Sequence, residues 1–181
     1  MIEMRIHGRG GQGTVLGGAL LAKALLDEGK YVSYFPEFGG ERRGSPVRAF
    51  LRIDEGIIYL KQQIYEPDIV VVMVSTVGMK NVISGLKPGG QLIINSPKSA
   101  IEFQRLGSFR ITTIDATRIA MRHRIGSLSA PIVNTTMIGV VARVMGIPFE
   151  LIDIVIRDKF KADEKNAASA REAYDKVAAQ E

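Results

Sequence analysis

Met4-Arg5-Ile6-His7-Gly8-Arg9-Gly10-Gly11-Gln12-Gly13 is a short alternating run followed by a glycine turn. Apolar and polar residues alternate over Met4–His7, which is strand period. The segment from Thr14 to Glu28 carries helix formers at helical spacing. A strand, a glycine turn and a helix N-terminus together make an anion cradle, because glycine lets the chain turn sharply and exposes backbone N–H groups. The spacing Gly8-x-Gly10-x-x-Gly13 is that of a dinucleotide fingerprint. Two readings stay open: a seated phosphate, or a turn that only packs a helix closely on a sheet.

Outward from this start, strand and helix signals alternate, the mark of a layered α/β fold. Tyr31–Phe35 reads as a second strand, followed by a polar loop from Pro36 to Ser45. Pro46 to Ile53 alternates and reads as a half-exposed antiparallel edge strand. Ile69–Val74 is an unbroken β-branched run, expected of a strand buried on both faces. Ser75 or Thr76 would cap a helix through Leu86. Lys87-Pro88-Gly89-Gly90 turns the chain into the buried strand Gln91–Asn95, and Phe109–Ile114 is a further strand.

The remainder reads as helical. Asp115 caps one helix, Pro131 starts a second that ends at Gly146, and Pro148 starts a third. Lys161 to Ala179 forms the last, whose narrow alanine-rich stripe would fray in isolation and order against a partner. The expected fold is a three-layer α/β domain spanning 1–181. It has a mostly parallel but mixed central sheet, a Rossmann-like start and a helical C-terminal third.

Composition narrows the function. The chain has no cysteine and two histidines, His7 and His123. Disulfides, thiolate nucleophiles and cysteine-held clusters are excluded, and a histidine metal cluster is not suggested. His7, on a strand, reads as a packed or hydrogen-bonded residue rather than a ligand. No apolar run is long enough to span a bilayer. The strand-like start at Met1-Ile2-Glu3 leaves no room for a signal peptide, so the cytoplasm is the expected location. The net charge is +5, but no nucleic-acid motif accompanies it. A solvated face or contacts to an acidic partner explain it better.

The loop after the second strand holds the other candidate residues. Glu37 stands about twenty residues beyond the glycine turn, where a nicotinamide site places its ribose-binding acid. The alternative is that Glu37 and Glu41 pair with Arg42, Arg43 or Arg48 and stiffen the loop. The loop is also longer than a βα unit needs, and a strand follows it rather than a helix. Asn134-Thr135-Thr136 is polar within an apolar region. It either lines a site or is satisfied locally. No G-x-S-x-G elbow and no triad context is present.

Three segments together resemble one family. Gly8–Gly13 with Val15 and Leu16, the stretch Phe35 to Phe50, and Ala130-Pro131-Ile132-Val133-Asn134-Thr135-Thr136-Met137-Ile138-Gly139 are similar to signatures of the gamma subunit of 2-oxoacid:ferredoxin oxidoreductases. Lys165-Asn166 is similar too. The likeness is closer to the pyruvate and branched-chain type than to the 2-oxoglutarate type.

The resemblance implies a complex that converts a 2-oxoacid to an acyl-CoA and reduces ferredoxin. Thiamine diphosphate would sit on alpha and beta subunits, and iron–sulfur clusters on cysteine-bearing chains, including a delta-type subunit. This chain would be non-catalytic, serving assembly and accommodating coenzyme A. Gly8, Arg9, Gly10, Gly11, Gln12 and Gly13 would then face a coenzyme A phosphate. Glu37, Glu41, Arg42, Arg43, Arg48 and Asn134 would shape the loop or meet a neighbouring subunit. No nucleic acid and no membrane is expected as a partner. The competing reading is a stand-alone nicotinamide-dependent oxidoreductase, resting on Gly8–Gly13 and Glu37.

Overall fold

The computed structural model describes residues 1–38, 44–74, 78–161 and 163–178. Glu41, Arg42 and Arg43, and the expected helix caps Ser75 and Thr76, lie outside the described residues. The elements run β1 (Ile2–Arg9), α1 (Thr14–Asp27), β2 (Tyr31–Phe38), β3 (Pro46–Asp54), β4 (Ile69–Val72), α2 (Met79–Val82), β5 (Gln91–Asn95) and β6 (Arg110–Ile114). Then come α3 (Ala116–Arg122), the short hairpin β7 (Gly126–Ser127) and β8 (Ala130–Pro131), α4 (Asn134–Met145), α5 (Phe149–Phe160) and α6 (Glu164–Ala178). Six strands form one sheet in the order β2-β3-β1-β4-β5-β6. The pairs β1–β4, β4–β5 and β5–β6 are parallel, whereas β3 is antiparallel to both its neighbours. The sheet is therefore mixed and mostly parallel, as the sequence predicts.

One face of the sheet carries the larger core. Met4 and Ile6 of β1, Ala49 and Leu51 of β3, and Val71 of β4 pack there with Leu21 of α1, Met137 and Val141 of α4 and Ile152 of α5. The other face is thinner. Val70, Val72, Leu92 and Ile94 meet Val82 and Leu86 there, with Phe103 and Leu106 of a 3₁₀ segment (Ala100–Leu106) partly buried beside them. Val70, Val71 and Val72 are all fully buried. A β-branched run is what a strand covered on both sides requires.

Several expectations are corrected. β2 continues through Pro36 and Glu37 to Phe38, so these residues are strand rather than loop. β3 is antiparallel but not an edge, because β2 covers it and Arg48 pairs in register with Glu37. Phe50 and Arg52, on the face expected to be half-exposed, are each 1% exposed. The carbonyls of Gln62 and Gln63 accept from the Arg52 guanidinium at 2.7 and 3.3 Å, and Glu3 Oε1 accepts from its Nε at 2.8 Å. The irregular segment 55–66 is thus tied down over β3 by a buried cation whose donors are satisfied.

After β4, α2 is a single turn and Gly85, at φ +77°, turns the chain before Leu86. Pro131 belongs to the β7–β8 hairpin, and α4 begins at Asn134. The last helix starts at Glu164, and its alanine stripe is covered by this chain itself. A Cβ on Gly139 of α4 would overlap the backbone carbonyl of Ala170, so the two helices meet at close range where Gly139 faces Ala170.

Candidate functional site

Parallel strands point their carboxyl ends to one edge of a sheet, and ligands gather there beside the strand from which connections diverge. Here that strand is β1. Its chain leaves through Arg9 into the glycine turn, while β3 approaches from one side and β4 from the other. At this edge lies a cavity of about 550 Å³, lined by Arg9, Gly10, Gly11 and Gly13 of the turn and by the first residues of α1. Phe38 and Val47 close it from the strand ends, and Arg124, Ile132, Asn134, Phe160 and Asn166 from the helical side.

The local chemistry of the turn divides its residues. Gly8 lies inside β1, and a Cβ there would run into the hydroxyl of Thr14. Its role is close helix–strand packing. Gly10 donates its N–H to the Ser45 carbonyl at 2.9 Å, and Gln12 donates to the Arg9 carbonyl at 3.2 Å. The N–H groups of Gly11 and Gly13 take no bond among the described residues. Both glycines have positive φ, +90° and +76°, a region that glycine enters without steric cost. At Gly13 a Cβ would also meet the Asn134 carboxamide nitrogen at 2.6 Å. α1 has neither a side-chain cap nor an acidic residue in its first turn. Among the described residues no side chain of that first turn offsets its positive end, the electrostatic condition that favours an anion. Thr14 Oγ1 and Gln12 Oε1 are buried with no hydrogen-bond partner among the described residues.

Asn134 is 2% exposed and opens α4 against the turn. Its Oδ1 accepts the Thr135 N–H at 2.8 Å, while its Nδ2 has no partner among the described residues. Thr135 donates to Asn166 Oδ1 at 3.0 Å, and Thr136 and Ser169 share a 2.8 Å hydrogen bond. The polar triplet therefore divides: the threonines are satisfied against α6, and the asparagine faces the cavity.

Glu37 is not placed for a ribose. Its Oε2 pairs with Arg48 Nη2 at 2.6 Å and its Oε1 accepts from Gln63 at 2.5 Å. β2 is separated from β1 by β3, so Glu37 does not sit on the strand beside the glycine turn. The nicotinamide reading is not supported. Beside the pair lies a second cavity of about 350 Å³, lined by His7, Glu37, Phe38, Arg48 and Asn81 among others.

His7 Nε2 accepts from Arg5 Nε at 2.9 Å, which leaves the proton of the neutral ring on Nδ1. Burial, and then Arg5 and Arg48, push its pKa down to about 3. Arg5 itself is buried, and the Ile64, Val82 and Ser84 carbonyls accept from its guanidinium at 3.2, 2.9 and 2.5 Å. Burial and then Arg48 lower its pKa. Among the described residues no group of three or more acidic, histidine or cysteine side chains is arranged to hold a metal.

The turn, Asn134 and the segment holding Phe38 are visible in the sequence, whereas Arg124 and Phe160 are not. Lys165-Asn166 enters there by resemblance alone. The rest arrive from distant elements with no local signal.

Fold and site together define an α/β module with a nucleotide-type glycine turn and no catalytic constellation among its described residues. The chain belongs to the pyruvate ferredoxin/flavodoxin oxidoreductase family, whose model matches residues 3–176. It is 46% identical to the common gamma subunit of pyruvate/ketoisovalerate oxidoreductases of Pyrococcus abyssi, over 98% of this chain and 97% of that one. Among solved structures, the pyruvate oxidoreductase subunit PORC of Thermotoga maritima is 35% identical with a TM-score of 0.82, covering 96% of this chain and 95% of that one. The 2-oxoglutarate:ferredoxin oxidoreductase of Magnetococcus marinus, solved with 2-oxoglutarate, coenzyme A and succinyl-CoA, shares the fold at a TM-score of 0.78 and 23% identity. This chain covers 30% of that longer chain, and 98% of this chain is matched.

Proposed function

We propose that this chain, the gamma-type subunit of a multi-subunit 2-oxoacid:ferredoxin oxidoreductase, supplies no reacting group and instead helps to seat coenzyme A. The complex it belongs to oxidatively decarboxylates a 2-oxoacid, forming an acyl-CoA and passing electrons to ferredoxin. In this reading alpha and beta subunits hold thiamine diphosphate, cysteine-bearing chains such as a delta-type subunit hold the iron–sulfur clusters, and the complex works in the cytoplasm. Among the described residues no helix is long and apolar enough to cross a membrane.

The observation that carries the coenzyme A assignment is the cavity at the end of β1, where two helix N-termini meet the N–H groups of Gly11 and Gly13, which have no acceptor among the described residues. A phosphate on this turn gains backbone hydrogen bonds and the positive end of α1 at once. Arg9 adds a cation. The walls from Val15, Leu16, Val47 and Ile132 are apolar and keep water from competing for the phosphate oxygens.

Gly11→Val is the direct test, because φ +90° is strained for a β-branched residue. The assembled complex carrying this substitution should bind coenzyme A at least tenfold more weakly by calorimetric titration, with slower turnover. Unchanged affinity together with unchanged turnover removes the glycine turn from coenzyme A binding.

A further inference from the structure

α3 ends in an unusual way. His123 is its C-cap, and the next residue, Arg124, has φ +55°. Arg124 donates its N–H to the Met121 carbonyl at 3.0 Å, and Ile125 donates to the Ala120 carbonyl at 2.9 Å. This is the left-handed closure of a helix, at the position where glycine is favoured because it has no Cβ to strain. The chain uses glycine in the same role at the end of α4, where Gly146 has φ +71°. At α3 it accepts strain to keep an arginine.

Among the described residues that arginine's side chain serves no internal contact. Its guanidinium makes no ion pair and no hydrogen bond to a described residue, and it lines the cavity of the glycine turn. The cavity's lining carboxylate, Asp163, is engaged elsewhere. It pairs with Lys165 at 3.8 Å and accepts the Lys165 N–H at 3.1 Å. Strain of this kind persists where the side chain repays it through function. From just beyond the end of α3, a cation with no partner among the described residues thus lines a cavity that the glycine turn, with its N–H donors, also lines.

We propose that Arg124 is a phosphate-binding residue of this cavity, reading a phosphate of the ligand that the glycine turn accommodates. The assignment rests on the coenzyme A reading above. Guanidinium–phosphate hydrogen bonds are charge-assisted and geometrically selective, so loss of this side chain should be felt in affinity and not in folding.

Arg124→Gly separates the two effects, since glycine suits the left-handed position better than arginine does. The assembled complex with Arg124→Gly should keep or raise its thermal midpoint, and its Kd for coenzyme A by calorimetry should rise about tenfold or more. Arg124→Asn, also tolerated at left-handed φ, should reproduce the loss, and Arg124→Lys should recover part of it. Titration with 3′-dephospho-coenzyme A then locates the contact. Loss for coenzyme A alone places Arg124 on the 3′-phosphate, and equal loss for both ligands places it on the diphosphate. Unchanged affinity in Arg124→Gly and Arg124→Asn, with loss in Gly11→Val, overturns the assignment and leaves the glycine turn standing. Unchanged affinity in all three overturns both.

Discussion

His7 shows how a residue type that usually titrates can be made inert. Its ring is 8% exposed, takes a hydrogen bond from Arg5 and has its pKa lowered to about 3 by burial and two arginines. The folded state therefore keeps His7 neutral, while an unfolded chain protonates it near pH 6.5. As pH falls below about 6.5 the unfolded state binds the extra proton, so stability is lost toward acid and regained as pH rises. Between about pH 6 and pH 4 the loss from this residue should approach 1.4 kcal/mol per pH unit. His7→Asn, which keeps an acceptor for Arg5, should flatten the pH dependence of the urea-unfolding free energy by about one proton in that range. An undiminished slope would show that His7 is not the group responsible.

At the scale of elements, the contact between α4 and α6 is the sharpest test of packing against propensity. Alanine favours a helix over glycine by about 1 kcal/mol, so Gly139→Ala would stabilise an isolated α4. In this fold the added Cβ meets the Ala170 backbone, with its Cα only 3.0 Å away. Backbone cannot swing aside as a side chain does, and overpacking of this kind costs about 1–3 kcal/mol. Net destabilisation is expected, with α6 more readily cleaved in limited proteolysis; a raised unfolding midpoint would show that the helices are not locked at this point. α6 matters to the site because Asn166 lines the cavity and holds Thr135, the neighbour of Asn134. Across the sheet, Arg52 and Arg5 do comparable work by holding segment 55–66 to β3 and β1 through its carbonyls.

Across the whole molecule, the cavity and the lack of a catalytic group among the described residues suit a subunit that acts through partners. The segment 55–66 is ordered against the sheet yet leaves Ile57, Tyr59 and Leu60 exposed. The full chain carries a net charge of +5, which favours encounter with acidic surfaces. Tagged chain drawn anaerobically from its native cell should bring with it a thiamine-binding pair and a cluster-bearing chain, identified by mass. Recovery of the chain alone, with normal amounts of those partners in the extract, would contradict its place in the complex.

Much was legible from the sequence by itself. Alternation in Met4–His7, the β-branched run from Ile69 and the turn at Lys87–Gly90 announced the strands, because side-chain period and turn chemistry are local properties. The glycine turn and the Gly146 helix end were legible for the same reason, as was the family through its three segments. Long-range packing alone settles that β3 lies between β2 and β1, that Glu37 pairs with Arg48, and that the alanine stripe of α6 belongs to α4. It also separates the half of the glycine motif that packs from the half whose N–H groups have no acceptor among the described residues. The physical reason is that burial, partner choice and cavity walls depend on residues far apart in the chain. Arg124 carries no motif, and its meaning appears only when the end of α3 is folded against the end of β1.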